Sequence, residues 1–80
     1  MIPEYVVKFS AIDQVQKFID DIRKIPCDVD ACHGNYVVDA KSLLGILSLS
    51  LGREIYLRPH SGDPNILEQL QAFSNNYNSL

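Results

Sequence analysis

Basic residues are scarce in this sequence: seven Lys and Arg stand against ten Asp and Glu, for a formal net charge of −3. A general nucleic-acid binder draws its affinity from cationic neutralisation of phosphates, so nucleic acid is not an expected partner. Long apolar runs are missing as well, since none reaches the roughly 20 residues that cross a bilayer. The opening Met1-Ile2-Pro3-Glu4 lacks the basic and apolar regions of a secretory leader. The expectation is a cytoplasmic protein with no membrane association. The two cysteines, Cys27 and Cys32, are too few for a disulfide framework. No second Cys or His pair completes a zinc site, so both are read as reduced thiols and no metal site is expected.

Repeats, low-complexity tracts and flexible linkers are also absent until Ser74-Asn75-Asn76-Tyr77-Asn78-Ser79 turns polar. With 46% of its 80 residues hydrophobic, the chain is too apolar to be disordered. It is expected to fold as one domain over residues 1–74, with 75–80 as a frayed tail. At this length only roughly 60% of the unfolded chain's surface can be buried, which leaves no deep cavity enclosed by two domains. Any chemistry must sit on the surface, and neither an enzyme nor a cofactor-binding protein is expected.

The residue pattern predicts a short apolar strand over Tyr5–Phe9. A helix follows whose apolar positions Ile12, Val15, Phe18, Ile19 and Ile22 recur at helical spacing. Ser10-Ala11-Ile12-Asp13 has the form of a capping box, and Arg23 and Lys24 place positive charge at the negative end of the helix before Pro26 prevents its continuation. Residues 27–33 and 36–40 alternate about Gly34-Asn35, the clearest hairpin signal in the chain. Pairing about that turn sets Ala31 opposite Val38 and Val29 near Ala40 on the core face, leaving Asp28, Asp30 and Asp39 together on the other. Ser42 is placed as the N-cap of a short leucine-rich helix with Gly52 as its stop. A strand over Glu54–Arg58 is ended by Pro59. A last helix opens at Asp63-Pro64 and carries Ile66, Leu67, Leu70 and Phe73 on one stripe. Helices with one apolar stripe and strands with one apolar face are satisfied by two layers. The expected class is therefore α+β: a βαββαβα open-faced sandwich with three helices on one face of a four-stranded antiparallel sheet.

In this element order, Asp39-Ala40-Lys41-Ser42-Leu43-Leu44-Gly45-Ile46-Leu47-Ser48-Leu49 resembles the regulatory-serine segment of the HPr family, the histidine-containing phosphocarriers of the bacterial sugar phosphotransferase system. More loosely, the resemblance extends through Gly52, Glu54–Arg58 and the last helix. It implies the same open-faced sandwich, contacts with protein partners, and phosphorylation of Ser42 by a kinase of the HPr-kinase type. It also implies what this chain has lost. The family's phosphoacceptor lies in a Gly-Leu-His-x-Arg-Pro-Ala loop, and counting back from the serine segment brings that His onto Ala11, with the Arg and Pro on Asp13 and Gln14. Alanine offers no nucleophile, and Asp13 would repel incoming phosphate. The family includes a catabolite-repression member in which the histidine is replaced and the serine kept, although that member keeps the surrounding loop.

The expected function is therefore that of a non-enzymatic HPr-like protein, unable to carry phosphate on histidine, acting as a regulatory or docking module. Ser42 is its candidate phosphorylation site, and Lys41, Leu43, Leu44 and Leu47 are its candidate partner contacts. The same residues allow a plainer reading: Ser42 as an ordinary cap, the leucines packed between neighbours, and the chain a scaffold with no phosphotransferase role whose short helix builds an oligomer. The sequence leaves the oligomeric state open. His33 and His60 are expected as exposed loop residues without partners, neither replacing the lost histidine. The three aspartates are expected as a solvated sheet face rather than a cation site. Cys32 is placed on the open face and Cys27 in the core.

Overall fold

The fold is described from a computed structural model covering residues 4–49 and 51–77. The chain runs β1 (Tyr5–Val7), α1 (Ile12–Ile22), β2 (Val29–His33), β3 (Tyr36–Asp39), α2 (Leu43–Ser48), β4 (Ile55–Pro59) and α3 (Pro64–Asn76), the βαββαβα order expected. The strands form a single sheet in the order β1-β4-β2-β3 with every neighbouring pair antiparallel. No helix among the described residues is long and apolar enough to cross a membrane.

Strand alternation sorts the side chains onto the two faces of this sheet. Tyr5, Leu57, Ala31 and Val38 form one row across the four strands, and Val6, Tyr56, Cys32 and Val37 form the next row on the opposite side. The first row meets the helices: Tyr5, Leu57 and Ala31 are buried with Val15, Phe18, Ile19, Ile22, Ile46, Ile66 and Leu70, and Val38 packs against them. The Ala31–Val38 pairing and the backbone bond from Ala40 N–H to the Val29 carbonyl at 2.9 Å are those expected of a hairpin about Gly34-Asn35. Gly34 has φ +58, a left-handed conformation that side-chain-bearing residues adopt at a cost.

Four aromatic rings tie the helical layer to the end of β1. Phe18 on α1 sits 5.1 Å from Phe9, 5.6 Å from Phe73 and 5.5 Å from Tyr77 between ring centroids, in edge-on arrangements favoured by the ring quadrupoles. Tyr77 is buried, and its carbonyl accepts a hydrogen bond from the Lys8 N–H. Buried Ser74 accepts from Val6 N–H at 3.2 Å and donates to the Val6 carbonyl at 3.0 Å, pairing the outer edge of β1 with α3. The tail expected from residue 75 is corrected here. Asn75 and Asn76 continue α3 and Tyr77 joins the core, while residues 78–80 of that expectation lie outside the described residues.

Two helix boundaries also differ from expectation. Ala11, not Ser10, is the N-cap of α1, with extended backbone and no capping side chain. Gln14 takes over the reach-back role, its Oε1 accepting from the Ser10 N–H at 2.8 Å, while Asp13 Oδ1 accepts from the Gln14 N–H. Only the reach-back half of a capping box is formed, and it ends on Ser10, the residue before the N-cap. α2 ends at Leu49 rather than at Gly52. Gly52, at φ +82, donates its N–H to the Phe9 carbonyl at 2.8 Å and so fastens the α2–β4 connection to the end of β1. The caps of the other helices agree: Ser42 Oγ accepts from Gly45 N–H and Asp63 from Asn65 N–H, with Pro64 in the first turn of α3.

Truncating Tyr77 to alanine opens the aromatic cluster, and the expected loss is about 3 kcal/mol of unfolding free energy, by comparison with buried aromatic truncations elsewhere. Urea denaturation of Tyr77→Ala checks this. A loss below about 1 kcal/mol, the range of surface substitutions, would return residue 77 to a frayed tail.

Candidate functional site

The antiparallel pairings divide the molecule into two ends. Val7 pairs with Ile55 and Cys32 with Tyr56, so the end of β1, the start of β4 and the end of β2 share one end of the sheet. α1 begins there. At the opposite end lie the start of β2, the end of β3, the end of β4 and the beginning of α2, where α1 also finishes.

Ser42 stands at this second end. Its backbone is extended, at φ −101 and ψ 116, and its Oγ accepts from the Gly45 N–H at 3.1 Å, so the hydroxyl is a working cap. The absence of a side chain at Gly45 makes the arrangement possible: a Cβ there would lie 3.2 Å from Val38 Cβ and 3.3 Å from Ser42 Oγ. Ser42 is half-buried. Its neighbour Lys41 does not extend freely into solvent. The Lys41 ammonium donates to the Ile25 carbonyl, and its backbone N–H donates to Asp39 Oδ1 at 2.9 Å. Arg23, read from sequence as a helix-dipole charge, reaches the same place, its Nε donating to the Lys41 carbonyl at 3.2 Å. A guanidinium is thus anchored one residue from Ser42. Sequence alone could not supply this contact, because only the packing of α1 beside α2 brings positions 23 and 41 together.

Of the three candidate leucines, Leu43 and Leu47 are half-buried against the core, whereas Leu44 is 80% exposed. One leucine of α2, rather than a stripe of three, is presented to solvent. Leu44 lies two residues from Ser42 on the same short helix.

At the first end, Ala11 occupies the N-cap of α1, half-buried, beside the exposed carboxylate-bearing Asp13 and an Ile12 whose side chain is 59% exposed. Ala11 offers no nucleophile. The histidines are not the unpartnered residues expected. His33 is the last residue of β2, half-buried, with Nδ1 2.9 Å from the Glu54 carbonyl. It belongs to the same end of the sheet as the α1 entrance. His60 lies at the opposite end, with Nε2 2.8 Å from Asp30 Oδ2. The hydrogen bond and charge of Asp30, reinforced by the charge of Asp28, hold the His60 imidazole above its ordinary pKa of 6.5.

Asp30 stands opposite both Asp39 on β3 and Arg58 on β4. Asp30 takes its side-chain hydrogen bond from His60. Among the described residues no group of three or more His, Cys, Asp and Glu is arranged to hold a metal ion. Cys32 does lie on the open face but is buried, flanked by Tyr56 and Val37 in the neighbouring strands. Cys27 is half-buried against the core rather than within it. Both thiols are free.

Neither a protein-family model nor a curated protein matches the chain. Among solved structures, the chain is similar to a phosphocarrier protein HPr from Bacillus anthracis strain Ames, with a TM-score of 0.67 and 24% sequence identity over 89% of this chain and 94% of that one. The four-stranded open sheet with its three helices is thus the HPr-like α+β fold.

The His60–Asp30 pair makes a pH-dependent contribution to stability. A pKa raised in the folded state means that protonated His60 is favoured by folding, so the contribution is full below about 6.5 and disappears as pH rises through the raised folded value. Asp30→Asn is expected to return the His60 midpoint, followed by its ring proton resonances, toward 6.5. It should also flatten the pH dependence of the urea midpoint over that window. An unchanged His60 midpoint in Asp30→Asn would show that the pair does not form in solution.

Proposed function

We propose that this HPr-fold chain works without histidine phosphotransfer, as a non-enzymatic docking or regulatory module in which Ser42 is the switch and Leu44 the principal anchor for a protein partner. The observation that carries this reading is the setting of Ser42: a capping hydroxyl beside an anchored guanidinium and two residues from a leucine almost wholly in solvent. Phosphorylation of Ser42 adds between −1.5 and −2 charges at neutral pH and three acceptor oxygens. Arg23, whose Nε donates to the neighbouring Lys41 carbonyl, is the cation proposed to receive them by charge-assisted hydrogen bonds. The new charge would stand beside Leu44, changing the polarity around a hydrophobic anchor without moving the fold. Lys41 and the half-buried Leu43 and Leu47 then support the surface instead of forming it.

The loss of carrier activity follows from Ala11. With no imidazole at the start of α1 and a carboxylate at Asp13, the α1 entrance itself lacks the nucleophile the HPr-family resemblance calls for, and the Asp13 charge opposes a phosphoryl group arriving at that position. The alternative of an oligomer built through α2 draws less support, because one exposed leucine suits insertion into a partner pocket better than helix-to-helix packing.

Incubation with HPr kinase and ATP tests the switch. Phosphate incorporation is expected in the native chain and not in Ser42→Ala, and Arg23→Gln should lower the stability of the phosphorylated form more than that of the unmodified one. No incorporation, or equal incorporation in Ser42→Ala, removes Ser42 from this role and leaves the scaffold reading. In the unmodified protein, Ser42→Ala is expected to cost about 1 kcal/mol as a lost cap, measured by urea denaturation.

A further inference from the structure

A second feature, independent of Ser42, lies at the other end of the molecule. The β2–β3 hairpin, the end of α2 and the loop leading into β4 enclose an open cleft of about 470 Å³, lined by His33, Asn35, Tyr36, Ser48, Leu49 and Arg53. This volume falls within the range of small-ligand sites. The lining side chains include a guanidinium, an imidazole, an amide and a phenol, and no carboxylate. Leu49 is buried and supplies an apolar wall.

The hydrogen bonds already made decide which groups remain for a ligand. A carbonyl oxygen can only accept, so His33 Nδ1 is the donor to the Glu54 carbonyl, and in the neutral ring Nε2 carries the lone pair. Nδ1 is therefore occupied, the ring is held in one orientation, and Nε2 is the nitrogen left to the cleft. Ser48 donates its hydroxyl hydrogen to the Gly45 carbonyl at 2.6 Å and has none to offer. The available donors are the Arg53 guanidinium, the Asn35 amide and the Tyr36 hydroxyl. This is a donor set with a permanent positive charge and no competing anion.

We propose that the cleft binds a small oxyanion, a phosphate or a carboxylate group, with Arg53 as its charge partner and the Asn35 amide and Tyr36 hydroxyl as further donors. Arg53 is exposed and follows Gly52, whose N–H bond to the Phe9 carbonyl holds the base of the loop. The anion needs no rearrangement of the core.

The test is an NMR titration of the full chain, labelled with ¹⁵N, by inorganic phosphate in one arm and acetate in another, with ionic strength held constant by sodium chloride. Saturable movement of the Asn35 and Arg53 amides is expected. The His60 ring should not follow. Arg53→Gln is expected to weaken binding about tenfold, the effect of losing one charge-assisted hydrogen bond. Asn35→Asp, which the turn tolerates, should abolish saturation by placing a carboxylate in the cleft. Saturation by phosphate alone, by acetate alone or by both supports the site and assigns the group it takes. Movement that fails to saturate in both arms, or saturation unchanged in Arg53→Gln and Asn35→Asp, overturns it.

Discussion

The packing of Phe18 among Phe9, Phe73 and Tyr77 is the contact from which the geometry of both ends of this molecule follows. It clamps α1 over the end of β1 and against α3, fixing where α1 starts and the direction in which it runs. Ala11 is then held at the α1 entrance. Eleven residues of helix later, α1 delivers Arg23 to the carbonyl of Lys41 and the Ile25 carbonyl to the Lys41 ammonium. A helix tilted differently on the sheet would separate α1's last turn from Ser42. The same aromatic contact therefore sets the residue that stands at the start of α1 and the charge that stands beside the start of α2.

Much of this architecture is legible in the residues because local rules and the global fold agree. Period-two alternation across Gly34-Asn35 specifies both the hairpin and its register, since a slip by one residue would turn Ala31 and Val38 out of the core. Ser42 and Asp63 announce their helices because a side-chain oxygen there meets an orphan amide of the first turn. Where two candidates compete, the pattern is less decisive. Ser10 and Asp13 satisfy the form of a capping box, yet the longer Gln14 side chain reaches back and moves the boundary to Ala11. Tyr77 is hidden in another way: one aromatic residue in a run of Asn and Ser carries no periodicity, and only the three-dimensional convergence of Phe9, Phe18 and Phe73 shows its place.

The candidate sites divide similarly. Ser42 can be found by its position before an apolar helix, whereas Arg23 is invisible there because the contact spans 18 residues of chain and depends on how α1 crosses α2. Leu43, Leu44 and Leu47 look alike in sequence, and the difference between one exposed and two half-buried side chains is decided by packing against the sheet. His33 and His60 are likewise separated by strand direction. The antiparallel β2–β4 pairing sends them to opposite ends, one to the Glu54 carbonyl and the other to Asp30.

The two proposed surfaces lie at two ends of the sheet, a serine cap beside the exposed Leu44 at one and a donor-lined cleft at the other. The proposed loss of carrier activity rests on the side chain at position 11, and one measurement addresses that directly. The chain is incubated with phosphoenolpyruvate and the general components of the sugar phosphotransferase system, and acid-labile phosphate on it is followed by ³¹P NMR. No phosphohistidine signal is expected. A stoichiometric signal that disappears in His33→Gln or His60→Gln would contradict a docking role and make the protein a carrier with a relocated acceptor.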